Sequence, residues 1–318
     1  MTGRPTPRIG VIGATGVVGR VTLELLAQRG YRDVRAFASA RSTGRAVALG
    51  SRELTVEEAT PDALAAGGLD LCFFSVGTAA SRELVPAARR GGAICVDKSA
   101  AFRLESGVPL VVPEVNGERA LEHDGIVANP NCSTIPLTLV LKPLHEAAGL
   151  RALRVATYQS KSGAGDATLQ SFLAEPPSEH DLAMDWPFDG EEFEDESKLK
   201  AETRKILELP ELPISVTCMR VPVPVGHAES VWIETEEPLS RERARDLLNA
   251  APSVRLEEFP TPGKAAGGDD ALVGRIRRDP AASNGLSLFL ACDNLRKGAA
   301  LNAVQIAELV LARERAAA

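Results

Sequence analysis

The chain has 318 residues with 43 acidic against 36 basic side chains, a net charge of -7 that argues against a nucleic-acid or anionic-membrane partner. No apolar run approaches the ~20 residues that span a bilayer, and residues 1–8 hold no apolar leader. Five scattered cysteines without CxxC spacing indicate neither a disulfide framework nor a metal site, and suit free thiols in a reducing, cytoplasmic setting.

Arg8-Ile9-Gly10-Val11-Ile12-Gly13 reads as a short buried strand, followed by Ala14-Thr15-Gly16-Val17-Val18-Gly19 and a helical run over 21–28. Strand, glycine turn and helix are the setting in which a pyrophosphate can rest on a helix N-terminus, although the spacing is GxxGxxG and a purely structural turn is the other reading. The next strand, 34–38, ends at Ser39-Ala40-Arg41-Ser42-Thr43-Gly44 with no carboxylate to receive a ribose 2'-hydroxyl. An arginine flanked by hydroxyls can hold a 2'-phosphate instead, which favours NADP over NAD; a solvated basic loop is the alternative. Strands over 69–76 and 93–96 enclose a helix over 80–90, and Ser99 and Arg103 follow the second strand. This alternation predicts a doubly wound parallel sheet, whose ligands gather at the carboxyl ends of its strands.

Asn129-Pro130-Asn131-Cys132-Ser133-Thr134 closes an apolar strand over 125–128 and opens an amphipathic helix over 135–148. A cysteine there meets unpaired backbone N–H groups and the positive end of a helix dipole, which favour the thiolate. Read alone it could equally be a buried structural thiol.

Beyond residue 150 the texture changes. Alternating strands over 153–160, 215–223, 230–234 and 287–292 predict a second, α+β unit on a largely antiparallel sheet. The acidic run 175–196, with Pro176-Pro177, reads as an exposed, solvated excursion. A final helix over 298–312 is expected to return to the first domain. Of four histidines, His123, His145 and His180 sit in polar or helical surroundings, whereas His227 follows the strand that also presents Arg220. A strand-end imidazole can meet a thiol remote in sequence.

Gly13-Ala14-Thr15-Gly16-Val17-Val18-Gly19, Ser39-Ala40-Arg41-Ser42, Asn129 to Thr134, Thr157-Tyr158-Gln159-Ser160 with Ser162-Gly163-Ala164-Gly165, Arg220 through His227, and Asp293-Asn294 with Lys297-Gly298-Ala299-Ala300 together resemble the aspartate-semialdehyde dehydrogenases. The blocks follow the family's order from residue 8 to about 310. The resemblance implies a Rossmann-like NADP-binding domain over 1–131, joined by a C-terminal helix over 298–318, and a catalytic and dimerisation domain over 132–297. It implies Cys132 as the acylated nucleophile, His227 as general acid/base and Gln159 orienting the acyl group. Arg220 and Glu202 would hold the substrate's carboxylate and amine, with Arg103 and Lys205 on its phosphate. Gly13, Thr15, Gly16, Val17, Val18, Ser39, Arg41, Ser42, Ser162, Gly163 and Asn294 would contact NADP.

That constellation would carry NADPH-dependent reductive dephosphorylation of L-aspartyl 4-phosphate through a thioester, in a homodimer serving aspartate-family amino-acid biosynthesis. Glu202 and Lys205 fall on an expected surface helix, where a one-turn salt bridge is the competing explanation. Three other readings stay open. A reductase of N-acetyl-glutamyl phosphate usually has glycine before the cysteine, where this chain has Asn131. A malonyl-CoA reductase shares the cysteine block. A silent dinucleotide-binding paralogue would not need Cys132, Gln159, Arg220 and His227 together.

Overall fold

The computed structural model describes residues 6–175 and 183–317. Pro176, Pro177 and His180 lie outside them. The chain divides into two compact units, the first running through Pro130 and taking in the terminal helix, the second Asn131–Gly298.

The first unit contains β1 (Ile9–Ile12), α1 (Val17–Gln28), β2 (Val34–Ala38), β3 (Ala46–Leu49), β4 (Arg52–Glu58), α2 (Pro61–Ala65), β5 (Leu71–Phe74), α3 (Thr78–Arg90), β6 (Ile94–Asp97), α4 (Pro113–Asn116) and β7 (Ile126–Ala128). Its seven-stranded sheet has the order β3-β4-β2-β1-β5-β6-β7, parallel except for the β3–β4 hairpin at one edge. Every residue of β1, β5 and β7 is buried, as a parallel sheet covered on both faces requires of its strands. The doubly wound sheet expected from the sequence is therefore present. The hairpin is not evident from the sequence, because Arg52, Glu53, Glu57 and Glu58 blur its apolar pattern.

At the first turn, Gly13 has φ +85 and a Cβ there would fall 2.4 Å from the Ser75 carbonyl oxygen. A Cβ on Gly19 would fall 2.1 Å from the Gly13 carbonyl oxygen. The two glycines thus let α1 start directly against the end of β1.

The second unit contains α5 (Thr134–Ala148), β8 (Leu150–Gln159), α6 (Asp166–Ala174), α7 (Glu194–Leu207), β9 (Ile214–Arg220), β10 (His227–Thr235), α8 (Arg241–Ala250), β11 (Val254–Leu256), α9 (Pro262–Ala265), β12 (Ala271–Asp279) and β13 (Gly285–Cys292). The sheet order is β11-β12-β13-β10-β8-β9. Its three central pairings are antiparallel and its two outer ones, β11–β12 and β8–β9, are parallel, so the sheet is mixed. β12 is hidden in the sequence because a bulge after Gly274 and three arginines break its alternation. A π-helical turn, Arg296–Ala300, leads into α10 (Leu301–Ala317), whose Leu301, Val304, Ile306, Ala307 and Val310 join the core of the first unit.

Two expectations are corrected. The acidic run is exposed over most of its described residues, as expected, but not to its end: α7 begins inside it, and Asp195 and Glu196 are buried. Nor is α7 a surface helix at Glu202, which is 1% exposed.

Candidate active site

In the second unit, strand register puts the chemistry-bearing side chains in one row. Gln159 pairs with Arg220 across β8 and β9, and His227 pairs with Cys292 across β10 and β13. Because Ala228 stands opposite Tyr158, the next residues outward on β10 and β8 are His227 and Gln159. Arg220, Gln159 and His227 therefore share one face at the end of adjacent strands.

Cys132 comes from the start of α5. Ile135 N–H donates to the Asn131 carbonyl and Ser133 N–H to Asn131 Oδ1 at 2.8 Å, which makes Asn131 the working cap and places Cys132 in the first turn. Cys132 Sγ lies 3.2 Å from His227 Nε2. It is also the only cysteine of the five that is not buried. Burial pushes the Cys72 thiol up to about 12 and raises those of Cys95, Cys218 and Cys292. A Cβ on Gly298 would fall 3.2 Å from the Cys132 carbonyl oxygen, so the backbone behind Cys132 is closely packed.

His227 is 1% exposed, and the Ser160 N–H donates to its Nδ1 at 3.0 Å. An amide can only donate, so Nδ1 is the acceptor and the ring proton of the neutral imidazole sits on Nε2, facing the sulfur. Burial first, then the Arg220 guanidinium, lowers the His227 pKa to about 3.

Arg220 donates from one terminal nitrogen to the Ser160 carbonyl at 3.0 Å, from the other to Asp185 at 3.1 Å, and lies 4.6 Å over the Trp186 ring. Gly163 packs against both groups: a Cβ there would sit 2.9 Å from His227 Cε1 and 3.0 Å from an Arg220 nitrogen. Asn294 Oδ1 accepts from Gly226 N at 2.8 Å and from the Ser160 and Ser162 hydroxyls, while its Nδ2 donates to Ser162 Oγ. Ser162, Gly163 and Asn294, expected at a cofactor, thus brace the loop that holds His227.

From α7, Glu202 Oε2 accepts the Asn131 N–H at 2.7 Å, and burial lowers the pKa of half-buried Lys205, opposed by Glu202. Asp195 accepts from Asn131 Nδ2 at 3.0 Å and from Gln159 Nε2 at 2.7 Å. Asp195, Asn131 and Ser160 carry much of this geometry, and sequence reasoning assigns them no role. For Asp195 the only signal is an acid at the start of a helical run. His123 and His145 serve locally, their Nδ1 atoms accepting from Gly125 N and Leu150 N.

In the first unit, α1 is capped by Gly16, which has no side-chain acceptor, and Thr15, Val17 and Val18 surround that helix start. Arg41 is exposed in a single 3-10 turn, Ala40–Ser42, between Ser39 and Ser42 just past β2, and has no side-chain partner among the described residues. A glycine cradle that any Cβ would fill, an open helix start and a free guanidinium fit a dinucleotide bearing an extra phosphate. Arg103 is buried and donates from Nε to the Asn129 carbonyl at 3.0 Å and from a terminal nitrogen to that of Lys98.

Comparison with known proteins agrees with this geometry. Residues 8–123 match the family described as semialdehyde dehydrogenase, NAD binding domain, and residues 141–297 the semialdehyde dehydrogenase dimerisation domain. The aspartate-semialdehyde dehydrogenase of Mycolicibacterium smegmatis is 45% identical, covering 96% of this chain and 99% of the relative. That of Bacillus subtilis (strain 168) is 38% identical over 94% of this chain and 96% of the relative. Among solved structures, aspartate semialdehyde dehydrogenase II of Vibrio cholerae, complexed with ASA, superposes with a TM-score of 0.91 at 35% identity, covering 97% of this chain and 99% of that one. The chain belongs to the aspartate-semialdehyde dehydrogenase family.

Proposed function

We propose that this protein is an oxidoreductase that converts L-aspartyl 4-phosphate to L-aspartate 4-semialdehyde with release of phosphate, in aspartate-family amino-acid biosynthesis. The observation that carries this reading is the 3.2 Å approach of Cys132 Sγ to His227 Nε2 in the row that also presents Gln159 and Arg220. Cys132, in the first turn of α5, attacks the acyl carbon and displaces phosphate to leave a thioester. Cys132 reacts as the thiolate, its proton lost to solvent before the attack; of the expected acid–base role of His227, the Ser160-fixed tautomer supports the hydrogen-donor half, its Nε2–H steadying the sulfur anion and then the acyl oxygen as negative charge develops there. Arg220 holds the substrate carboxylate and Glu202 its amine, while Arg103 and Lys205 are the proposed phosphate contacts. NADPH supplies the hydride that reduces the thioester.

The cofactor assignment rests on Gly13, Thr15, Gly16, Val17 and Val18 for the pyrophosphate, and on Ser39, Arg41 and Ser42 for the 2'-phosphate. Any contact from Ser162, Gly163 or Asn294 comes from atoms not already spent on the His227 loop. The domain assignment follows the same lines: an NADP-binding domain over 1–131 with the terminal helix, and a catalytic and dimerisation domain over 132–297 acting in a homodimer. Cytoplasmic residence is consistent with five free thiols. Among the described residues no helix is long and apolar enough to cross a membrane.

The test is phosphate-dependent NADP reduction with aspartate semialdehyde. Turnover that requires phosphate supports the reading; turnover only with a CoA acceptor would replace it with an acyl-CoA reductase.

A further inference from the structure

Two carboxylates on one face of α7, Asp195 and Glu202, seven residues and about two turns apart, reach the residue that precedes the nucleophile. Glu202 Oε2 takes the backbone N–H of Asn131, and Asp195 Oδ1 takes the side-chain Nδ2 of the same residue at 3.0 Å. The other Asp195 oxygen takes Gln159 Nε2 at 2.7 Å. Asp195 is 6% exposed and lies in the first turn of α7.

A carboxylate offers only acceptors, so both amides facing it must turn their nitrogens toward it. For Asn131 this leaves Oδ1 for the Ser133 N–H, the bond that caps α5 and seats Cys132. For Gln159 the Nε2 also points at Thr157 Oγ1, at 3.3 Å, so both of its N–H groups are committed to the protein. Its carbonyl oxygen, Oε1, takes no hydrogen bond from the described residues.

Resting on the reading of Cys132 as nucleophile, we propose that Asp195 is a positioning residue that fixes the polarity of two amides at once. It turns the Gln159 carbonyl oxygen outward as an acceptor, and it locks Asn131, hence Cys132, at the start of α5. Gln159 then orients a substrate group that carries a hydrogen, an ammonium or the hydroxyl of a reduced adduct, and cannot donate to the oxyanion. That task falls to the His227 Nε2–H.

The arrangement makes a specific prediction about exchange of the two side chains. In Asp195→Asn one oxygen can still accept from Gln159, but the new amide nitrogen then faces Asn131 Nδ2, donor against donor. Relief requires Asn131 to flip and lose the Ser133 cap, or Gln159 to flip and lose its polarity. In the double variant Asn131→Asp, Asp195→Asn, the carboxylate introduced at position 131 accepts both from Ser133 N and from the amide introduced at position 195. The oxygen of that amide keeps Gln159 in place, and the local charge is unchanged.

The experiment compares wild type, D195N and N131D/D195N by kcat and KM for aspartate semialdehyde. The rate of Cys132 alkylation by iodoacetamide is followed across pH, and folding is checked by thermal melts. D195N is expected to lose about 30-fold in kcat with KM changed less than about threefold, as displacement of reacting groups by an ångström or less would produce. The double variant is expected to recover more than about threefold of that loss and to restore the alkylation profile, a non-additive coupling that a merely structural role would not give. A double variant that recovers threefold or less, or a D195N enzyme within twofold of wild type, overturns the proposal. Should the wild type fail to turn over aspartate semialdehyde, the functional reading falls alone, and the alkylation comparison among the three proteins decides this one by the same thresholds.

Discussion

The Ser160 N–H donates to His227 Nδ1 at 3.0 Å, and that one bond decides which ring nitrogen carries the proton opposite Cys132. It also opposes protonation, because an imidazolium would have to direct an N–H at the Ser160 N–H. With the His227 pKa lowered to about 3, the ring stays neutral across the working range. The unfolded ring binds a proton below its ordinary value of 6.5 and the folded ring does not, so the folded state loses stability as pH falls from 6.5 toward 3. Relative to His227→Gln, wild type should lose about 2 kcal/mol between pH 6.5 and 5, read from urea melts. A pH-independent difference would show that His227 titrates normally.

Glu229 produces the opposite slope. It lies two residues along β10 from His227, neither of its carboxyl oxygens has a partner among the described residues, and burial pushes its pKa well above the usual carboxylate range. Above the unfolded value the unfolded chain releases a proton that the folded one keeps, so wild-type stability declines as pH rises. Glu229→Gln should therefore gain on wild type by up to about 1.4 kcal/mol per pH unit between pH 5 and 7. Urea melts at the two pH values that gave the same difference would contradict a buried neutral carboxyl.

Cys132→Ser should reduce turnover at least about a thousandfold while leaving the melting temperature and NADPH binding unchanged, since a serine hydroxyl is a far weaker nucleophile at neutral pH. Steady-state kinetics with fluorescence titration of NADPH separates the two effects. Loss of NADPH binding in step with turnover would point to a damaged fold.

Gly163→Ala adds one methyl where only 2.9 Å separates the Cβ position from His227 Cε1. The ring or the Arg220 fork must shift, and kcat should fall roughly tenfold or more while the thermal melt moves little. An alanine enzyme with wild-type kcat would mean that His227 tolerates displacement.

Arg41→Ala removes the free guanidinium past β2. KM for NADP should rise about tenfold, the worth of one charge-assisted contact, with KM for NAD unaltered. Equal losses for both cofactors would place Arg41 elsewhere than on a 2'-phosphate.

The buried parallel strands are readable because both their faces are covered, so Ile9–Ile12, Leu71–Phe74 and Ile126–Ala128 are almost uninterrupted apolar runs. The start of α5 is readable for the same local reason, an Asn-Cys-Ser-Thr segment ahead of an apolar helix. The end of the acidic run misleads because charge density along the chain says nothing about partners far from it. Asp195 is satisfied by Asn131 and Gln159, and Glu196 by Cys218 N at 2.9 Å, across 64, 36 and 22 residues.

By itself, then, the sequence determined the devices whose causes lie within a few residues: the glycine cradle before α1, the strand and helix alternation, and a thiol in the first turn of a helix. Sterics and hydrogen bonding over one turn are enough to specify those. Only the tertiary structure decided that the His227 proton sits on Nε2, that the Gln159 amide points its oxygen outward, and that a carboxylate from the acidic run is buried among them. Each of those depends on a donor or acceptor brought from a distant strand or helix.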